Sequence, residues 1–483
     1  MNNHKTPERA TFMCPGTDEC RALCQALGRQ GLDATDLGVA GSCGVPELLV
    51  SDGQTTHVNG LEGQLADKLA SGLANHLARY HEDQTEREAI ATVKVDYRAV
   101  FEARNNMFSA MLSATKAGQR FTAEELEFYE NQTKQAEAQL AKTAEGRDSL
   151  EVVLGQASFD AEVLAETGLV FDPQMVNNIQ RIVTNTVNGK PTLVTGNKGI
   201  AKTAAFKYVS RLIAPDKAPL IISGHGDMMT HELIGRTDQD PDSDELKLKF
   251  KDGKIIKAMR EGRPVLLDEV NVADQSVMMR LNDIMLMRPG DKIVLQENGD
   301  EEIEIQPGFC IYMTANIGQR YSARQELDTA FKDRADIIKC DYPDTSRQPL
   351  GDNMPITLRH AFAMATDTDG RLSPHINPDE LVKLARYAHV SQQLYSQPSK
   401  NVADALTGIN FADRSALTSY VDDEPVMSDC ITPRSMFEAI ANAKHGNRPG
   451  VSLVSEIERL VSALDNEGSY NADVLNKVLI KVL

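Results

Sequence analysis

The pattern of hydrophobic and polar positions changes along the 483 residues of the chain. Over the first 60 residues the pattern is irregular and interrupted by glycine, so it predicts helical stretches at most. Over residues 63–80 apolar side chains recur at i, i+4 and i+7, which is typical of an amphipathic helix. The N-terminal region is therefore predicted to be mainly helical.

Residues 84–150 are rich in Glu, Lys, Gln and Ala, and they predict two long helices. The break between the helices is expected near Gly118, and Thr122 with Glu125 forms the pattern of a capping box that starts the second helix. Two interpretations are open at this point. The segment is either a helical hairpin packed on its own domain or a coiled-coil arm that binds partners, and the first is favoured.

The rest of the chain has two different periodicities. Residues 160–345 alternate apolar runs with amphipathic segments, which predicts a parallel sheet covered by helices on both faces. Residues 350–483 are mostly helical by periodicity, with a less regular stretch at 391–424. We therefore predict an α/β protein with four parts: an N-terminal domain of unknown role at 1–83, a helical hairpin or coiled coil at 84–150, an α/β core at 151–348, and a helical region at 349–483.

Composition changes this picture little. A chain of this length predicts two to four domains, and 41% hydrophobic with 25% charged residues is ordinary for a globular protein. We find no run of 18 apolar residues and no apolar segment near the first residue, so we expect neither a membrane span nor a secretory signal, and we expect a cytoplasmic protein. The net charge of −19 argues against a dedicated DNA-binding protein but leaves room for a local basic loop.

Seven cysteines, an odd number, predict free thiols rather than a disulfide framework. Four of them lie within the first 43 residues, at Cys14, Cys20, Cys24 and Cys43. Their spacing differs from the Cys-x2-Cys of zinc ribbons, and Cys20 and Cys24 would share one face of a helix. Metal binding and reduced structural thiols are both compatible with this cluster, and the spacing favours the thiols.

The strongest candidate for chemistry is the segment 191–205, PTLVTGNKGIAKTAA. It predicts an apolar strand, a glycine-containing loop and a helix that begins with Lys202 and Thr203. In this order backbone N–H groups point at phosphates, Lys202 adds a positive charge, and the Thr203 hydroxyl can hold Mg²⁺. The pattern G-x-x-x-x-G-K-[ST] is met except at its second glycine, where Ala201 stands. The predicted nucleotide-binding residues are Gly196, Asn197, Lys198, Gly199, Ile200, Ala201, Lys202, Thr203 and Ala204.

Two acids follow a later apolar strand. The segment 263–271, RPVLLDEVN, delivers Asp268 and Glu269 to the carboxyl end of a buried strand, where nucleotides bind in parallel sheets. Asp268 would bind Mg²⁺ through water, and Glu269 would orient or deprotonate the attacking water. A solvated acidic turn is the alternative interpretation, and the position of the acids after a phosphate-binding loop disfavours it.

Three further polar residues complete the candidate set. Asn316 ends the buried strand of 308–315, where it could hydrogen-bond the attacking water or the γ-phosphate. Arg334 lies at a helix end just before an edge strand, so it would project toward the γ-phosphate of a neighbouring subunit. Arg434 follows Thr432, which suits a helix N-cap, and from the helix start it could reach the phosphates.

On these motifs the region of about 160–445 resembles an AAA+ ATPase, and more narrowly the branch of MoxR proteins, cobaltochelatase motors and dynein-related (midasin-like) proteins. The resemblance covers about 60% of the chain and implies a P-loop core followed by a helical lid. It implies Walker A at 196–203, Walker B at 266–269, sensor 1 at Asn316, a trans arginine finger at Arg334 and sensor 2 at Arg434. The implied catalytic residues are Lys202, Glu269, Asn316, Arg334 and Arg434, with Thr203 and Asp268 as metal ligands.

The resemblance also implies a function. It implies a homo-oligomeric ring, a hexamer, that uses ATP and Mg²⁺ at subunit interfaces and remodels or activates a partner protein, often one with a von Willebrand A domain. The alternatives on the same fold are a nucleic-acid translocase or restriction-type GTPase subunit, and a structural ring with slow turnover. Ala201 motivates the last alternative, because its methyl group reduces conformational freedom where the family prefers glycine.

Proteins of this branch carry an insert within helix 2 and a hairpin before sensor 1. The segment 247–257, KLKFKDGKIIK, predicts a hairpin that turns at Asp252 and Gly253, and 292–306 predicts a second hairpin. The lysines of the first segment could line a pore for DNA or form the solvated face of an alternating hairpin. The solvated face is the favoured interpretation.

Overall fold

The structure, a computed structural model, describes most of the chain after residue 83. It describes residues 11–13, 47–50, 54–57, 84–145, 147, 149–239, 248–316, 329–342, 356–367, 371–396, 429–444 and 452–465. The chain divides into two compact units: residues 1–98, 138–166 and 342–483 form unit 1, and residues 99–137 and 167–341 form unit 2. The domain boundaries that the sequence suggests, after residues 83, 150 and 348, remain predictions.

The described residues contain strands β1–β12 and α-helices α1–α13. The strands are β1 Thr11–Met13, β2 Glu47–Val50, β3 Gln54–His57, β4 Thr192–Gly196, β5 Leu220–Ser223, β6 Gly235–Gln239, β7 Leu248–Asp252, β8 Pro264–Asp268, β9 Lys292–Leu295, β10 Glu301–Glu304, β11 Cys310–Ala315 and β12 Asp336–Cys340. The helices are α1 Gln84–Lys116, α2 Ala123–Glu145, α3 Ser149–Thr167, α4 Pro173–Val187, α5 Lys202–Ile213, α6 Thr230–Leu233, α7 Lys254–Glu261, α8 Gln275–Ile284, α9 Thr329–Arg334, α10 Ile356–Ala365, α11 Pro378–Ser396, α12 Pro433–Lys444 and α13 Leu453–Asp465.

The centre of unit 2 is a five-stranded parallel sheet with the strand order β12-β4-β11-β8-β5. The three inner strands are buried along nearly their whole length, because a parallel sheet is covered on both faces and its strands are continuous apolar runs. All five strands run in one direction, so the sheet has two unlike edges. The carboxyl edge is where the inner strands end, at Gly196, Asp268 and Ala315. The amino edge is where they begin, at Thr192, Pro264 and Cys310.

Helices cover both faces of the sheet. On one face α4, α5 and the last turns of α1 surround Phe206, which stacks on Tyr312 of β11 at a centroid distance of 4.8 Å. On the other face α7 and α8 bury Ile256 and Leu281 against β11 residues such as Met313. Successive residues of β11 thus pack into opposite halves of the core, as the pleat of a strand requires. The predicted α/β fold, a parallel sheet with helices on both faces, is confirmed.

The helical segment after residue 84 breaks where the sequence predicts. α1 ends at Lys116, and Gly118 has a left-handed φ of 69°. The Glu125 N–H donates to Thr122 Oγ1 at 3.2 Å and the Thr122 N–H donates to Glu125 Oε2 at 2.8 Å, so the capping box is present. Phe108 of α1 is buried in the core of unit 2, whereas none of the described residues of α2 is buried. The interpretation as a helical hairpin packed on its own domain therefore agrees with the end of α1, whereas α2 keeps an exposed surface.

Helices α1 and α2 confirm a mainly helical N-terminal region, but the narrower prediction for the first 60 residues is wrong where the structure describes them. β1, β2 and β3 form a three-stranded antiparallel sheet in that order, whereas the pattern predicts helical stretches at most. Strands of three or four residues are too short to show a period of two, so the alternation signal is weak. The helix predicted at 63–80 and the four N-terminal cysteines lie outside the described residues.

The prediction of a hairpin at 247–257 is also wrong. The hairpin is formed by β6 and β7, which pair Gly235 with Asp252, and the chain then enters α7 instead of returning as a strand. Gly253 is the N-cap of α7, and the apolar residues that follow it are buried on the helix: Ile255, Ile256 and Met259. Their helical spacing outweighs the local turn signal of Asp252 and Gly253. The second predicted hairpin is present, because β9 and β10 pair antiparallel.

Unit 1 contains a buried ion pair between α3 and α10. The Arg359 guanidinium donates to both carboxylate oxygens of Asp160, at 2.6 and 2.8 Å. Asp160 is completely buried, so removing either partner would leave an unpaired buried charge. α12 begins as predicted, because Thr432 Oγ1 accepts a hydrogen bond from the Ser435 N–H at 3.1 Å. Within the described residues, no helix combines the length and the apolar character that a membrane span requires.

Candidate functional site

The loop between β4 and α5 depends on a close backbone approach. Gly196 has a φ of 149°, and a Cβ added there would lie 1.7 Å from the carbonyl oxygen of Cys340 on β12. No side chain fits at this position. Gly199 and Ala201 both have left-handed φ values, of 76° and 59°. Left-handed residues among right-handed ones direct successive N–H groups to one side, which creates an anion-binding concavity at the start of α5.

Ala201 is the N-cap of α5 and has a φ of 59° and a ψ of 22°. For a residue with a Cβ this conformation costs roughly 1–2 kcal/mol, whereas glycine adopts it freely. The departure of Ala201 from the loop pattern therefore has a defined physical consequence. The chain keeps the loop conformation and carries a small backbone strain next to Lys202.

Lys202 begins α5, and it is only 9% exposed. Its Nζ donates to the carbonyl oxygens of Gly196 at 3.0 Å and Asn197 at 2.5 Å, and to Asn316 Oδ1 at 2.7 Å. These contacts connect the loop to the end of β11. A buried ammonium group held against the loop is the group that would neutralise phosphate charge in this fold.

Thr203 and Asp268, the two predicted metal ligands, are in contact. The Thr203 hydroxyl lies 3.2 Å from Asp268 Oδ1 and 3.3 Å from Oδ2. Asp268 is the last residue of β8, so the direction of the sheet carries its carboxylate to the first turn of α5. Hydroxyl and carboxylate oxygens are the ligands that Mg²⁺ prefers. The chemistry of this donor pair therefore fits a magnesium ion beside the phosphate loop.

Glu269 and Asn316 meet beside this pair. The Asn316 Nδ2 donates to Glu269 Oε1 at 2.7 Å, while its Oδ1 accepts from Lys202. The orientation of the Asn316 amide follows from these two partners. Its carbonyl oxygen must face the ammonium group, and its NH2 group must face the carboxylate. Glu269 itself is left-handed, with φ 55° and ψ 45°. A Cβ at Gly224 of the neighbouring chain segment would lie 2.4 Å from the Glu269 carbonyl oxygen, so this turn also needs a glycine beside it.

The site contains two residues that the sequence analysis did not assign to it. The Thr314 hydroxyl donates to Asp268 Oδ1 at 2.5 Å and accepts from the Glu269 N–H at 2.9 Å. Asn271 Nδ2 donates to the backbone carbonyl of Asn316 at 3.0 Å. The sequence offers one indication of the role of Thr314, because it is a hydroxyl residue in an otherwise apolar strand. A buried hydroxyl group of this kind needs a hydrogen-bond partner. Thr314 therefore joins Asp268, the last residue of β8, and Glu269, which follows it, to β11.

The remaining predicted loop residues occupy the same short segment. Asn197 is buried, and the others are half-buried at the loop or in the first turn of α5: Lys198, Gly199, Ile200 and Ala204. Behind the loop, Cys340 Sγ accepts a hydrogen bond from Asn178 Nδ2 at 2.9 Å. Burial raises the pKa of the Cys340 thiol to about 12, so it stays neutral and acts as a packing group.

The two predicted arginines do not lie in this cluster of contacts. Arg334 ends α9, two residues before β12 begins at Asp336, which pairs with Thr192 at the start of β4. Arg334 is therefore on the side of the amino edge. Arg434 is an exposed residue in the first turn of α12, in unit 1, and its contact with phosphates remains a prediction.

Comparison with known proteins identifies relatives of the α/β core. The family described as AAA domain (dynein-related subfamily) matches residues 191–335, a range that contains the loop, the acids of β8, Asn316 and Arg334. The protein Midasin of Giardia intestinalis is 28% identical over 161 residues, and Midasin of Dictyostelium discoideum is 28% identical over 169 residues. These matches cover 33% and 35% of this chain but 3% of each midasin.

Two further matches are a curated bacterial protein and a solved structure. An uncharacterized protein of Staphylococcus saprophyticus is 29% identical over 156 residues, which is 32% of this chain and 57% of that protein. The chain thus spans a small fraction of the midasins and just over half of the staphylococcal protein. A crystal structure of a proposed ATPase from Cytophaga hutchinsonii matches 71% of this chain and 98% of that chain, with 18% identity and a TM-score of 0.29.

Proposed function

We propose that the chain is an AAA+ ATPase of the dynein-related type, in line with the match of its residues 191–335, and that it binds ATP with Mg²⁺ and hydrolyses it within a ring of identical subunits. The proposed site is the cluster of side chains at the carboxyl edge of the sheet. Binding of ATP rather than GTP, the roles of single residues, the ring and its partner all belong to the proposal. So does the predicted cytoplasmic location.

One observation carries the proposal. Lys202, Asn316 and Glu269 come from three separate elements, and two hydrogen bonds of 2.7 Å join them. Next to them Thr203 contacts Asp268. A group that neutralises phosphate charge, a pair of metal ligands and a carboxylate that can act on water are the parts that nucleotide hydrolysis requires.

Each group has a distinct proposed role. The N–H groups of the loop would bind phosphate oxygens, and Lys202 Nζ would exchange its carbonyl contacts for them. Thr203 and Asp268 would hold Mg²⁺, which supplies charge to stabilise the phosphates during transfer. Glu269 would orient the attacking water or accept its proton, and the Asn316 amide would hold the Glu269 carboxylate in place. Thr314 would hold Asp268 and Glu269 in position beside Asn316.

Arg334 supports the proposal of a ring. It precedes the amino edge of the sheet, and along a strand such as β4 that edge is roughly 15 Å from the phosphate loop, at about 3.3 Å per residue. An arginine that stabilises the transferring phosphate would then come from a neighbouring subunit. We infer a hexamer because of the resemblance to ring-forming proteins of this branch.

The hairpins β6–β7 and β9–β10 are the proposed contact points for a partner protein. Leu248 of β7 is 74% exposed and Val294 of β9 is 48% exposed, and exposed apolar side chains are common where proteins bind one another. In the proposal Arg434 senses the nucleotide, and the lid passes the change to the hairpins. A protein with a von Willebrand A domain is the proposed partner.

The alternative of a nucleic-acid translocase has less support. It was based on one continuous hairpin rich in lysine. Lys249 and Lys251 lie on β7, whereas Lys254 and Lys257 lie on α7. The lysines are therefore divided between a strand and a helix. Salt-dependent DNA binding together with DNA-stimulated hydrolysis would favour this alternative again.

The test of the proposed site uses two substitutions with different expected results. Lys202→Ala should abolish ATP binding, whereas Glu269→Gln should keep binding and stop turnover, because one removes phosphate charge and the other removes the group that acts on water. Isothermal calorimetry measures binding and a steady-state phosphate-release assay measures turnover. Lys207→Ala, at an exposed position of the same helix, is the matched control and should change neither. Equal loss of binding in the first two variants would contradict the assignment.

A further inference from the structure

A cavity of about 400 Å³ lies at the amino edge of the sheet, within unit 2. Its walls come from the end of α1, the end of α4 and the segments 285–290 and 307–311. β11 begins at the cavity with Cys310 and leads at its other end to Asn316 of the nucleotide site. The cavity is therefore separated from the phosphate loop by the length of the sheet.

The interior of the cavity is apolar. It is lined by Leu112, Ile213, Met285, Met287 and Ile311. The volume lies within the range of about 300–1,000 Å³ that is typical of small-molecule sites. Two methionines among the lining residues favour adaptable binding, because their unbranched side chains adjust to the shape of an apolar ligand.

The floor of the cavity is neutral and its hydrogen bonds are satisfied. Cys310 lines the cavity, and the buried Tyr312 lies two residues further along the same face of β11. The Tyr312 hydroxyl lies 3.0 Å from Thr186 Oγ1, which in turn donates to the carbonyl oxygen of Ile182 at 2.7 Å. Burial raises the pKa of the Cys310 thiol to about 12 and raises the pKa of Tyr312 well above its ordinary value. A charged group of a ligand would therefore not bind at the floor.

The charges are at the rim. Lys116, Lys190 and Arg288 line the opening, with Glu304 as the acidic residue among them. Lys116 Nζ donates to the Ile213 carbonyl oxygen at 3.3 Å, and Lys190 Nζ lies 3.7 Å from Asp336 Oδ1. Arg288 differs from both lysines, because its guanidinium group has no hydrogen-bond or ion-pair partner within the described part of the chain. Its stem would lie only 3.1 Å from a Cβ at Gly189, so the arginine is packed along the rim.

We propose that this cavity binds a small amphipathic carboxylate, with an acyl or aryl body among the apolar residues and the carboxylate paired with Arg288. The planar guanidinium presents a fork of N–H donors that matches a carboxylate in two parallel hydrogen bonds. Lys190 already faces Asp336, but Lys116 and Arg288 together still exceed Glu304 by one positive charge, so the opening favours an anion. Cys310 and Tyr312 stay neutral beneath the apolar body. This site does not depend on the proposed ATPase activity.

Binding is measured first on the unaltered full chain, with octanoate as the probe and ligand-observed NMR as the readout. Octan-1-ol has the same chain length without the charge, and it should bind at least about tenfold more weakly. Arg288→Gln should weaken octanoate binding by about tenfold and leave octan-1-ol unchanged. Arg236→Gln, at an exposed arginine of β6, is the matched control and should change neither affinity.

The position of binding is measured with a single fluorophore, because the chain contains no tryptophan. Met287→Trp places the fluorophore in the cavity wall, and Met279→Trp places it at a 63% exposed position of α8. Octanoate should shift the emission of the first variant in a saturable way and leave the second unchanged. Three results would each overturn the proposal: no octanoate binding to the unaltered chain, equal binding of octanoate and octan-1-ol, or an octanoate affinity that Arg288→Gln does not alter.

Discussion

The two edges of the five-stranded sheet are made by the same strands, yet their chemistry is opposite. At the carboxyl edge Lys202, Asn316 and Asp268 make charged and polar contacts with one another and with neighbouring groups. At the amino edge an apolar cavity lies where β11 begins, and its charges lie on the rim. Parallel strands bring every carboxyl end to one side, so residues far apart in sequence can combine into one site there. The amino edge has no such requirement and is free to be apolar.

The largest expected effect is for Arg334, the predicted catalytic residue that lies on the wrong side for its own loop. Arg334→Ala should bind ATP nearly normally and hydrolyse it on the order of 10³-fold more slowly, because the charge at the phosphate is lost. Steady-state turnover at saturating ATP measures the change, and an equilibrium binding experiment is its control.

Mixing two inactive variants tests whether this arginine acts between subunits. Rings that contain both Arg334→Ala and Glu269→Gln subunits should regain some activity, because an intact Glu269 can meet an intact Arg334 when the Glu269→Gln subunit supplies the arginine. Subunit exchange must be confirmed separately. A mixture that exchanges subunits and stays as inactive as either parent at every ratio would rule out an independent arginine finger at Arg334.

Two glycines, one at each edge, should differ in the free energy of unfolding that an added methyl group costs. Gly196→Ala at the carboxyl edge should lower the free energy of unfolding by about 3 kcal/mol or more, because the Cβ would collide with the Cys340 carbonyl. Gly290→Ala at the amino edge should cost only about 1–2 kcal/mol, because its φ is 90° but nothing lies within 4 Å of the added Cβ. Chemical denaturation of both variants measures the difference. Equal losses would show that backbone conformation, and not the close approach, decides both positions.

Two buried threonines, one at each edge, differ in the hydrogen bonds that their hydroxyl groups make. Thr314→Val removes a hydroxyl that contacts Asp268 and the Glu269 N–H, so turnover should fall by roughly 10–100-fold, from about 1.5–3 kcal/mol for bonds to charged groups. Thr314→Ser should restore most of the activity. Thr192→Val at the amino edge is the control: its buried hydroxyl has no hydrogen-bond partner in the described structure, so the change should be neutral or stabilising. A similar loss of turnover in Thr314→Val and Thr192→Val would argue against the positioning role of Thr314.

The amino edge has its own carboxylate, Asp336, and its contribution should depend on pH. Burial raises the pKa of Asp336, but hydrogen bonds from Asn185 and Arg181 outweigh burial and hold the pKa below its ordinary value. The folded state therefore favours the charged form, so the stabilisation is present above the ordinary pKa of about 4 and is lost as the pH falls through the lower folded value.

Asp336→Asn should accordingly lower the free energy of unfolding by about 1 kcal/mol at neutral pH, since the side chain is one-quarter exposed and its contacts are partly screened. The difference from the unaltered chain should disappear in acid. Denaturation curves at several pH values measure it, and a difference that grows as the pH falls would contradict the sign of the shift.

The smallest expected effect is for Ala201→Gly. Glycine relieves the left-handed strain of roughly 1 kcal/mol, but it also adds conformational entropy to the unfolded chain, so the net change in stability should be below about 1 kcal/mol. ATP turnover should stay the same or rise. A large fall in turnover would mean that the Ala201 methyl group is needed and that its strain is not the relevant property.

The features that the sequence alone determines are local. The capping box of Thr122 and Glu125, the predicted phosphate loop before Lys202 and the two acids at the end of β8 and directly after it all follow from residues a few positions apart. Local patterns of this kind also specify the alternation of strands and helices, because burial on both faces of a parallel sheet requires apolar strands. The similarity of residues 191–335 to the AAA domain (dynein-related subfamily) was therefore predictable from the sequence.

Only the tertiary structure shows the features that depend on residues far apart in the sequence. Thr314 reaches Asp268 across 46 positions, and Asn316 accepts from Lys202 across 114, so neither contact has a local signal. The segment after Gly253 is a helix because its apolar residues have a core to enter, although Asp252 and Gly253 favour a turn. The cavity at the amino edge likewise exists only where helix ends and loops from separate parts of the chain meet. Periodicity determines which element forms, whereas packing alone determines which elements meet.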